Sequence, residues 1–128
     1  MPVATIEICR RYSQEQEAAL MKAVHDAMVE ALKIPASDRT VRLVVHEPHR
    51  FAVDPGKDDR FTLITIDLFE GRSLVAKSRL YAAIVRHLEP FGIPPNHVKT
   101  LLHDVPRENF GIRGLPSSEI DLGFEINV

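Results

Sequence analysis

The sequence predicts an α+β protein in which two tandem strand–helix–strand (βαβ) units form a four-stranded mixed sheet with two helices on one face. Three features of the 128 residues predict it: an amphipathic helical stretch between two apolar strands, a second copy of the same order, and polar turn residues at Asp54–Asp59 between the copies. We expect a single domain of residues 1–128, with pseudo-repeated halves at about 1–53 and 60–128.

The first half begins with a predicted strand over residues 2–9. Ser13–Gln16 fits a capping box, in which a hydroxyl and a glutamine amide satisfy backbone groups at a helix start. The helix is predicted to continue to about Leu32, because apolar residues recur at helical spacing: Leu20, Val24, Ala27 and Ala31, flanked by Met21, Met28 and Leu32. Pro35 ends this helix, and the β-branched run Val41–Val45 predicts the second strand.

The second half repeats this order. Phe61–Phe69 predicts a buried strand, about Ser73 to Glu89 a helix, and the region near Val98–Leu102 a fourth strand. The dipeptide Ile34-Pro35 ahead of one strand is matched by Ile93-Pro94 ahead of another. Parallel strand pairs need such helical crossovers, so both helices are expected to cover one face of the sheet.

The opposite face is expected to contact other subunits. Phe61–Phe69 and Val41–Val45 are apolar almost throughout, as in strands that are buried on both faces. A monomer would expose this surface, which predicts self-association. The alternating residues Gly123–Val128 predict an edge strand offered to a neighbour.

Composition excludes several classes of partner. The formal net charge is −2, with 16 basic residues dispersed along the chain, which argues against nucleic acid or an anionic membrane as the main partner. No apolar run reaches membrane-spanning length. Cys9 is the single cysteine, so no intramolecular disulfide can form; we interpret it as a small core residue and expect a cytoplasmic protein.

Pro2 is the first candidate for chemistry. Methionine aminopeptidase removes a methionine that precedes a small residue, which would leave a secondary amine at the head of an apolar strand. An α-amino group titrates near neutrality, at about 7.7–8.0, and burial or a nearby cation lowers its pKa. Such an amine can act as a base at physiological pH. The alternative is that Pro2 merely follows the translation start.

Arg72 lies where the third strand gives way to the second helix, and a cation there opposes the helix dipole. A bound carboxylate would remove that conflict, because free backbone N–H groups and a guanidinium fork both favour anions. If the first and third strands are antiparallel neighbours, Pro2 and Arg72 reach one pocket. The alternative is a solvated surface arginine.

Asp38, in the loop before the second strand, is a carboxylate that could orient water or substrate, or only a turn-capping residue. The six histidines show no metal-ligand spacing and are interpreted as structural or exposed. No glycine-rich phosphate-binding loop, serine nucleophile elbow or cysteine nucleophile motif is present. We therefore expect chemistry without a metal or cofactor.

These residues resemble the tautomerase superfamily, whose members use an amino-terminal proline as the catalytic group. The segment Ala23–Ala31 with Pro35 and Asp38-Arg39 is similar to the malonate semialdehyde decarboxylase branch, and Glu70–Ser73 and Phe110–Gly114 resemble segments of the long-chain members. The resemblance covers essentially the whole chain. It implies a tautomerase fold, a homotrimer, and Pro2, Asp38 and Arg72 as catalytic residues.

The chain also departs from these relatives. The decarboxylases place a second arginine just before the one matching Arg72, where this chain has Phe69 and Glu70. The chain is also similar to the cis-chloroacrylic acid dehalogenase branch. At the position of that branch's first-helix histidine this chain has Met28, and at the position of its second arginine it has Phe69. These differences weaken the case for decarboxylation and dehalogenation.

The resemblance and the residues together predict a cofactor-independent keto–enol tautomerase of small 2-oxo or 2-hydroxy-2-enoic acids. Pro2 would be the general base, Arg72 would bind the carboxylate, and Phe110 and Arg113 are candidate substrate contacts. For Arg113 we favour the alternative role of tying down the C-terminal segment.

Two other functions remain open. One is a decarboxylase or hydratase of the malonate semialdehyde type, with a cationic Pro2 and with Asp38 activating water. The other is a trimeric interaction protein that has no catalytic activity.

Overall fold

The computed structural model describes the whole chain, Met1–Val128. Its main elements alternate between strand and helix in two βαβ units. In chain order they are β1 (Val3–Ile8), α1 (Gln14–Leu32), β2 (Val41–Val45), β3 (Thr62–Phe69), α2 (Leu74–Leu88) and β4 (Val98–Val105), followed by a small hairpin of β5 (Gly111–Ile112) and β6 (Leu115–Pro116).

The large sheet has the strand order β2-β1-β3-β4. Each βαβ unit contributes a parallel pair, β1 with β2 and β3 with β4, and the two units join through the antiparallel pair of β1 and β3. In that pair Val3 lies opposite Asp67, so the beginning of β1 and the end of β3 share one end of the sheet. The predicted four-stranded mixed sheet is confirmed.

The core lies between the two helices and one face of the sheet. Burial alternates along β1, where every second residue is buried against the helices. Because a strand points successive side chains to opposite faces, this alternation marks the covered face. The core cluster combines side chains of both helices with those of the central strands, among them Ile6, Ile8, Leu20, Met28, Ile64, Ile66, Leu80 and Ile84.

Serine caps begin both helices. The Ser13 hydroxyl accepts a hydrogen bond from the Gln16 backbone N–H at 3.1 Å, and the Ser13 N–H donates to Gln16 Oε1 at 2.9 Å. This is the predicted capping box. The Ser73 hydroxyl accepts from the Ala76 N–H at 3.1 Å. Each cap satisfies a backbone donor that the helix itself leaves free.

The last strand is longer than predicted, and the C-terminal segment is tied to the start of α2. β4 extends to Val105, because pairing with β3 continues until Val105 lies opposite Phe69. Gly123–Val128 forms no strand in this chain. Instead, the Val128 backbone oxygen accepts hydrogen bonds from the Ser73 N–H and hydroxyl, at 3.1 and 2.7 Å.

The face of the sheet away from the helices is less apolar than predicted. Val44 and Leu101 are exposed there. Arg42 is also exposed and donates from Nε to the Thr5 hydroxyl at 2.8 Å. β2 is therefore not buried on both faces within one chain. This open face combines apolar side chains with polar ones, as a non-obligate protein interface does.

Neither helix combines the length and the apolarity that a membrane-crossing segment requires.

Candidate active site

The amino terminus lies in a partly enclosed position at the shared end of β1 and β3. The Met1 amine forms an ion pair with Asp38, with 3.2 Å between the amine nitrogen and Oδ2. Pro2 follows and is buried. Since consecutive Cα atoms lie about 3.8 Å apart, an amine on Pro2 would remain in the neighbourhood of Asp38.

Asp38 is held there by the loop between α1 and β2. Its backbone N–H donates to the Pro35 carbonyl at 3.0 Å, which closes a turn, and the Ala4 N–H donates to the Thr40 carbonyl at 3.0 Å, which ties the end of the loop to β1. The Asp38 side chain is only 10% exposed. The loop therefore presents a carboxylate to the amine with little competition from water.

Arg72 approaches from the turn between β3 and α2. The residue is 6% exposed, and its Nη1 donates to the Phe69 carbonyl at 3.1 Å. Its Nε and Nη2 are buried and have no hydrogen-bond partner. These two nitrogens lie on the same edge of the guanidinium plane, which is the edge that binds a carboxylate through two parallel hydrogen bonds.

The Met1 amine, Asp38 and Arg72 influence one another through their charges. Burial lowers the pKa of the Met1 amine below its ordinary value, Asp38 partly opposes the shift, and the Arg72 charge adds to it. Burial likewise lowers the pKa of Arg72, against the opposing charges of Asp38 and Asp104. An arginine stays charged even so. The site thus holds one permanent cation, one carboxylate and one amine that titrates readily.

Phe110 reaches the site only indirectly. Its ring packs edge-on against the fully buried ring of Phe69, with 4.5 Å between centroids, and the Phe69 carbonyl holds Arg72. The Arg107 guanidinium lies 5.9 Å from the centre of the Phe69 ring. Phe110 therefore supports the turn that carries Arg72.

Arg113 is not brought into contact with the other candidate residues in this chain. It is exposed at the tip of the β5–β6 hairpin and has a φ of 54°. Arg107, which the sequence did not single out, ties down the C-terminal segment: its Nη2 donates to the carbonyls of Ser117 and Ile120 at 2.6 and 2.8 Å. No periodic pattern marks such a bond, because it joins irregular segments.

The other candidates for chemistry lie outside this site. Burial raises the pKa of the Cys9 thiol, which disfavours a reactive thiolate. No three histidine, cysteine, aspartate or glutamate side chains gather in a way that could hold a metal ion. The arrangement at the amino terminus is instead suited to holding a small carboxylate beside an amine that gains and loses a proton.

Comparison with known proteins identifies the family. A model described as "Tautomerase enzyme" matches residues 38–113, and a second with the same description matches residues 2–54. The 2-hydroxymuconate tautomerase of Comamonas testosteroni is 39% identical over 56 residues, which is 43% of this chain and 89% of that protein.

Solved structures agree with the family models. The FG41 malonate semialdehyde decarboxylase, inhibited by 3-bromopropiolate, is 33% identical with a TM-score of 0.71, over 84% of this chain and 86% of that one. A fused 4-OT, solved as an asymmetric trimer, is 19% identical with a TM-score of 0.83, over 92% and 98%, and so shares the fold. Since a tautomerase model covers more than half of its residues, the chain belongs to the tautomerase family.

Proposed function

We propose that this protein is a cofactor-independent keto–enol tautomerase that acts on small 2-oxo or 2-hydroxy-2-enoic acids through the amine of Pro2. The observation that carries the proposal is the unpaired edge of Arg72. A buried guanidinium with two adjacent free donors is costly to maintain without an anion, and a carboxylate satisfies both donors at once.

Removal of Met1 is the first step of the proposal. In the chain with Met1, Pro2 nitrogen is part of a peptide bond and cannot accept a proton. Removing one residue exposes that nitrogen and vacates space next to Asp38, where the Met1 amine is now paired. The position favours a neutral amine, because burial and the Arg72 charge together lower the pKa of the amine found there by more than Asp38 raises it.

Each residue then has a distinct task. Arg72 binds the substrate carboxylate and stabilises the charge that develops on the neighbouring 2-oxygen. Neutral Pro2 takes the proton of the 2-hydroxyl group and returns a proton to carbon, which converts the enol into the keto acid. Asp38 positions the substrate or a water molecule. The 2-hydroxymuconate tautomerase relative supports this substrate class.

The test is the rate of ketonisation of 2-hydroxymuconate and phenylenolpyruvate, followed by ultraviolet absorbance, with Met1 removal checked by intact mass. Pro2→Ala leaves a primary amine in place of the secondary one, so it should lower kcat/KM by about 10-fold or more, through the changed position and basicity of the amine. Protein that retains Met1 should be inactive. Pro55→Ala, in the exposed turn before β3, is the matched control and should react at the native rate. Equal rates for the processed protein and for protein that retains Met1 would reject the proposal.

A decarboxylase or hydratase of the malonate semialdehyde type is the second candidate, and the ion pair of Asp38 with the amine favours it. A carboxylate at 3.2 Å stabilises a cationic amine, which polarises a carbonyl group rather than accepting a proton. The relative of 33% identity supports this reading as well. The two functions need opposite protonation states, so activity towards malonate semialdehyde should fall as the amine deprotonates, whereas tautomerase activity should rise.

We further propose that the chain assembles as a homotrimer through the open face of the sheet. Exposed Val44 and Leu101 on that face, and the trimeric fused 4-OT of the same fold, support this assembly. Light scattering on the native protein should give three times the 14.4 kDa of one chain. Val44→Glu should reduce that mass, because a charge would replace an apolar side chain in the interface.

A further inference from the structure

A single side chain outside the Asp38 loop hydrogen-bonds to that loop's backbone. His25, on α1, lies 2.9 Å from the Ala36 carbonyl through its Nε2. The loop runs from the end of α1 to Thr40. Its other backbone bonds outside the sheet ladder are the Lys33 N–H to the Val29 carbonyl at its start, the Pro35–Asp38 turn, and the link from Thr40 to β1. His25 therefore fixes the loop at the turn itself, two residues before Asp38.

The chemistry of the ring assigns its proton. A carbonyl oxygen can only accept a hydrogen bond, so Nε2 must carry the hydrogen. His25 is 5% exposed, and its Nδ1 is buried without a partner. A second proton on Nδ1 would be an unpaired buried donor, whereas the hydrogen on Nε2 is bonded, so the ring is placed as a fixed donor to the loop.

This bond bears on the site because the loop has few other anchors. Ile34 packs into the core at the beginning of the loop, whereas Pro35, Ala36 and Ser37 are exposed. Without the His25 bond, the Pro35–Asp38 turn and the link from Thr40 to β1 are the hydrogen bonds left to hold Asp38 beside the amine. A displacement of about 1 Å at a reacting group is enough to cost 100-fold in rate.

We infer that His25 is a positioning residue, which sets the distance between the Asp38 carboxylate and the N-terminal amine by holding the Ala36 carbonyl. The inference rests on the proposed function for its kinetic consequence. Its geometric consequence, the coupling of Asp38 to the amine, does not depend on which reaction the site catalyses.

The experiment compares His25→Leu with His25→Gln. Leucine keeps the apolar packing of α1 and removes the donor, while the glutamine amide can place an N–H near the position of Nε2. His87→Leu is the matched control: it removes another helical histidine, which lies 3.4 Å from Glu30 on the exposed side of the helices. Thermal denaturation of all variants reports any loss of folding.

The first readout is the pKa of the N-terminal amine, measured by NMR on the processed protein. In the chain with Met1, burial lowers the pKa of the Met1 amine, Asp38 raises it and Arg72 lowers it; we expect the same groups to act on the Pro2 amine. His25→Leu should therefore lower the amine pKa in the same direction as Asp38→Asn, and His25→Gln should restore it. An unchanged amine pKa in His25→Leu, or an unchanged one in Asp38→Asn, overturns the inference.

The second readout is a double-mutant cycle on kcat/KM for 2-hydroxymuconate. His25→Leu alone should lower kcat/KM by about 10- to 100-fold, with little further loss when Asp38 is already Asn, because both changes remove the same contribution. Losses that multiply independently would show that His25 acts elsewhere and overturn the inference. If no variant or native protein has activity but the amine pKa shifts as described, the proposed function fails and the inference stands.

Discussion

In the first βαβ half the residue before the helix cap is Tyr12, and in the second half it is Arg72. Both precede a serine that caps the following helix, Ser13 or Ser73. The Tyr12 hydroxyl is buried without a partner, and the Arg10 guanidinium lies 5.8 Å from the centre of its ring. Arg72 instead has two buried guanidinium nitrogens, Nε and Nη2, without a hydrogen-bond partner. The same turn thus supports an aromatic contact at one end of the sheet and an anion-binding group at the other.

The loops that lead into the parallel partner strands differ in the same way. In the first half, Asp38 faces the amino terminus. In the second half, His97 is almost fully buried, accepts a hydrogen bond from the Asp58 N–H at 3.3 Å, and lies 2.8 Å from the Asn96 side-chain oxygen. The repeat supplies the scaffold, and the differences between its copies concentrate the candidate chemistry at the end that holds the chain terminus.

The largest loss of activity should come from replacing Arg72, the residue before the second helix cap. Arg72→Ala should lower kcat/KM for 2-hydroxymuconate by about 100- to 1,000-fold, the scale of a lost transition-state donor. Arg72→Lys should recover only part of the loss, because an ammonium group cannot form the two parallel bonds. Steady-state kinetics on both variants measure this.

Tyr12→Phe is the matched control at the opposite end of the sheet. It removes a hydroxyl that has no partner and should leave kcat/KM within twofold of the native value. A loss in Tyr12→Phe comparable to that in Arg72→Ala would mean that the two ends are not functionally distinct.

Substitutions beside the amino terminus and beside His97 should also differ in their effect on the pH profile of kcat/KM. Tautomerase activity needs the neutral amine, so kcat/KM should rise with pH through the amine pKa and then level off. Asp38 raises that pKa, hence Asp38→Asn should move the rising limb to lower pH. Asp58→Asn, in the linker beside His97, should leave the midpoint unchanged. A midpoint that moves upward in Asp38→Asn would contradict the assigned electrostatics.

The fold could be predicted because its signals are local and repeated. The apolar stripe from Leu20 to Ala31 predicts helix α1, and the Ser13–Gln16 capping box predicts where it begins. Both are present in the structure. The antiparallel pairing of β1 with β3 has no such local signal, since pairing between the halves depends on contacts distant in sequence.

The surroundings of the site were less accessible from sequence. Arg72 Nε and Nη2 are unpaired because the Phe69 carbonyl accepts from Nη1 alone. No sequence pattern indicates which nitrogen of an arginine is bonded. His25 stands within the apolar stripe of α1, and a polar residue at a buried helical position was the signal that could have drawn attention to it. The edge strand that Gly123–Val128 would offer to a neighbouring subunit stays a prediction; within one chain, the Val128 backbone oxygen accepts hydrogen bonds from Ser73.

The smallest effect concerns the turn itself, where Gly71 in the second half corresponds to Arg11 in the first. Gly71 has a φ of +122°, a backbone conformation that L side chains rarely adopt, and an added Cβ would lie 2.8 Å from Asn127 Oδ1 and 3.2 Å from Ile126 Cγ2. Gly71→Ala should therefore lower the free energy of unfolding by about 1–3 kcal/mol, measured by urea denaturation.

Gly111→Ala is the control for this change, because Gly111 has no positive φ and no atom within 4 Å of the added Cβ. Combining Gly71→Ala with Asn127→Ala separates the two causes. The second substitution removes the contact with the Asn127 side chain, so it should recover that part of the loss and leave the parts due to Ile126 and to φ. Full recovery in the double variant would show that the C-terminal segment, rather than the backbone conformation, makes glycine necessary in the turn that carries Arg72.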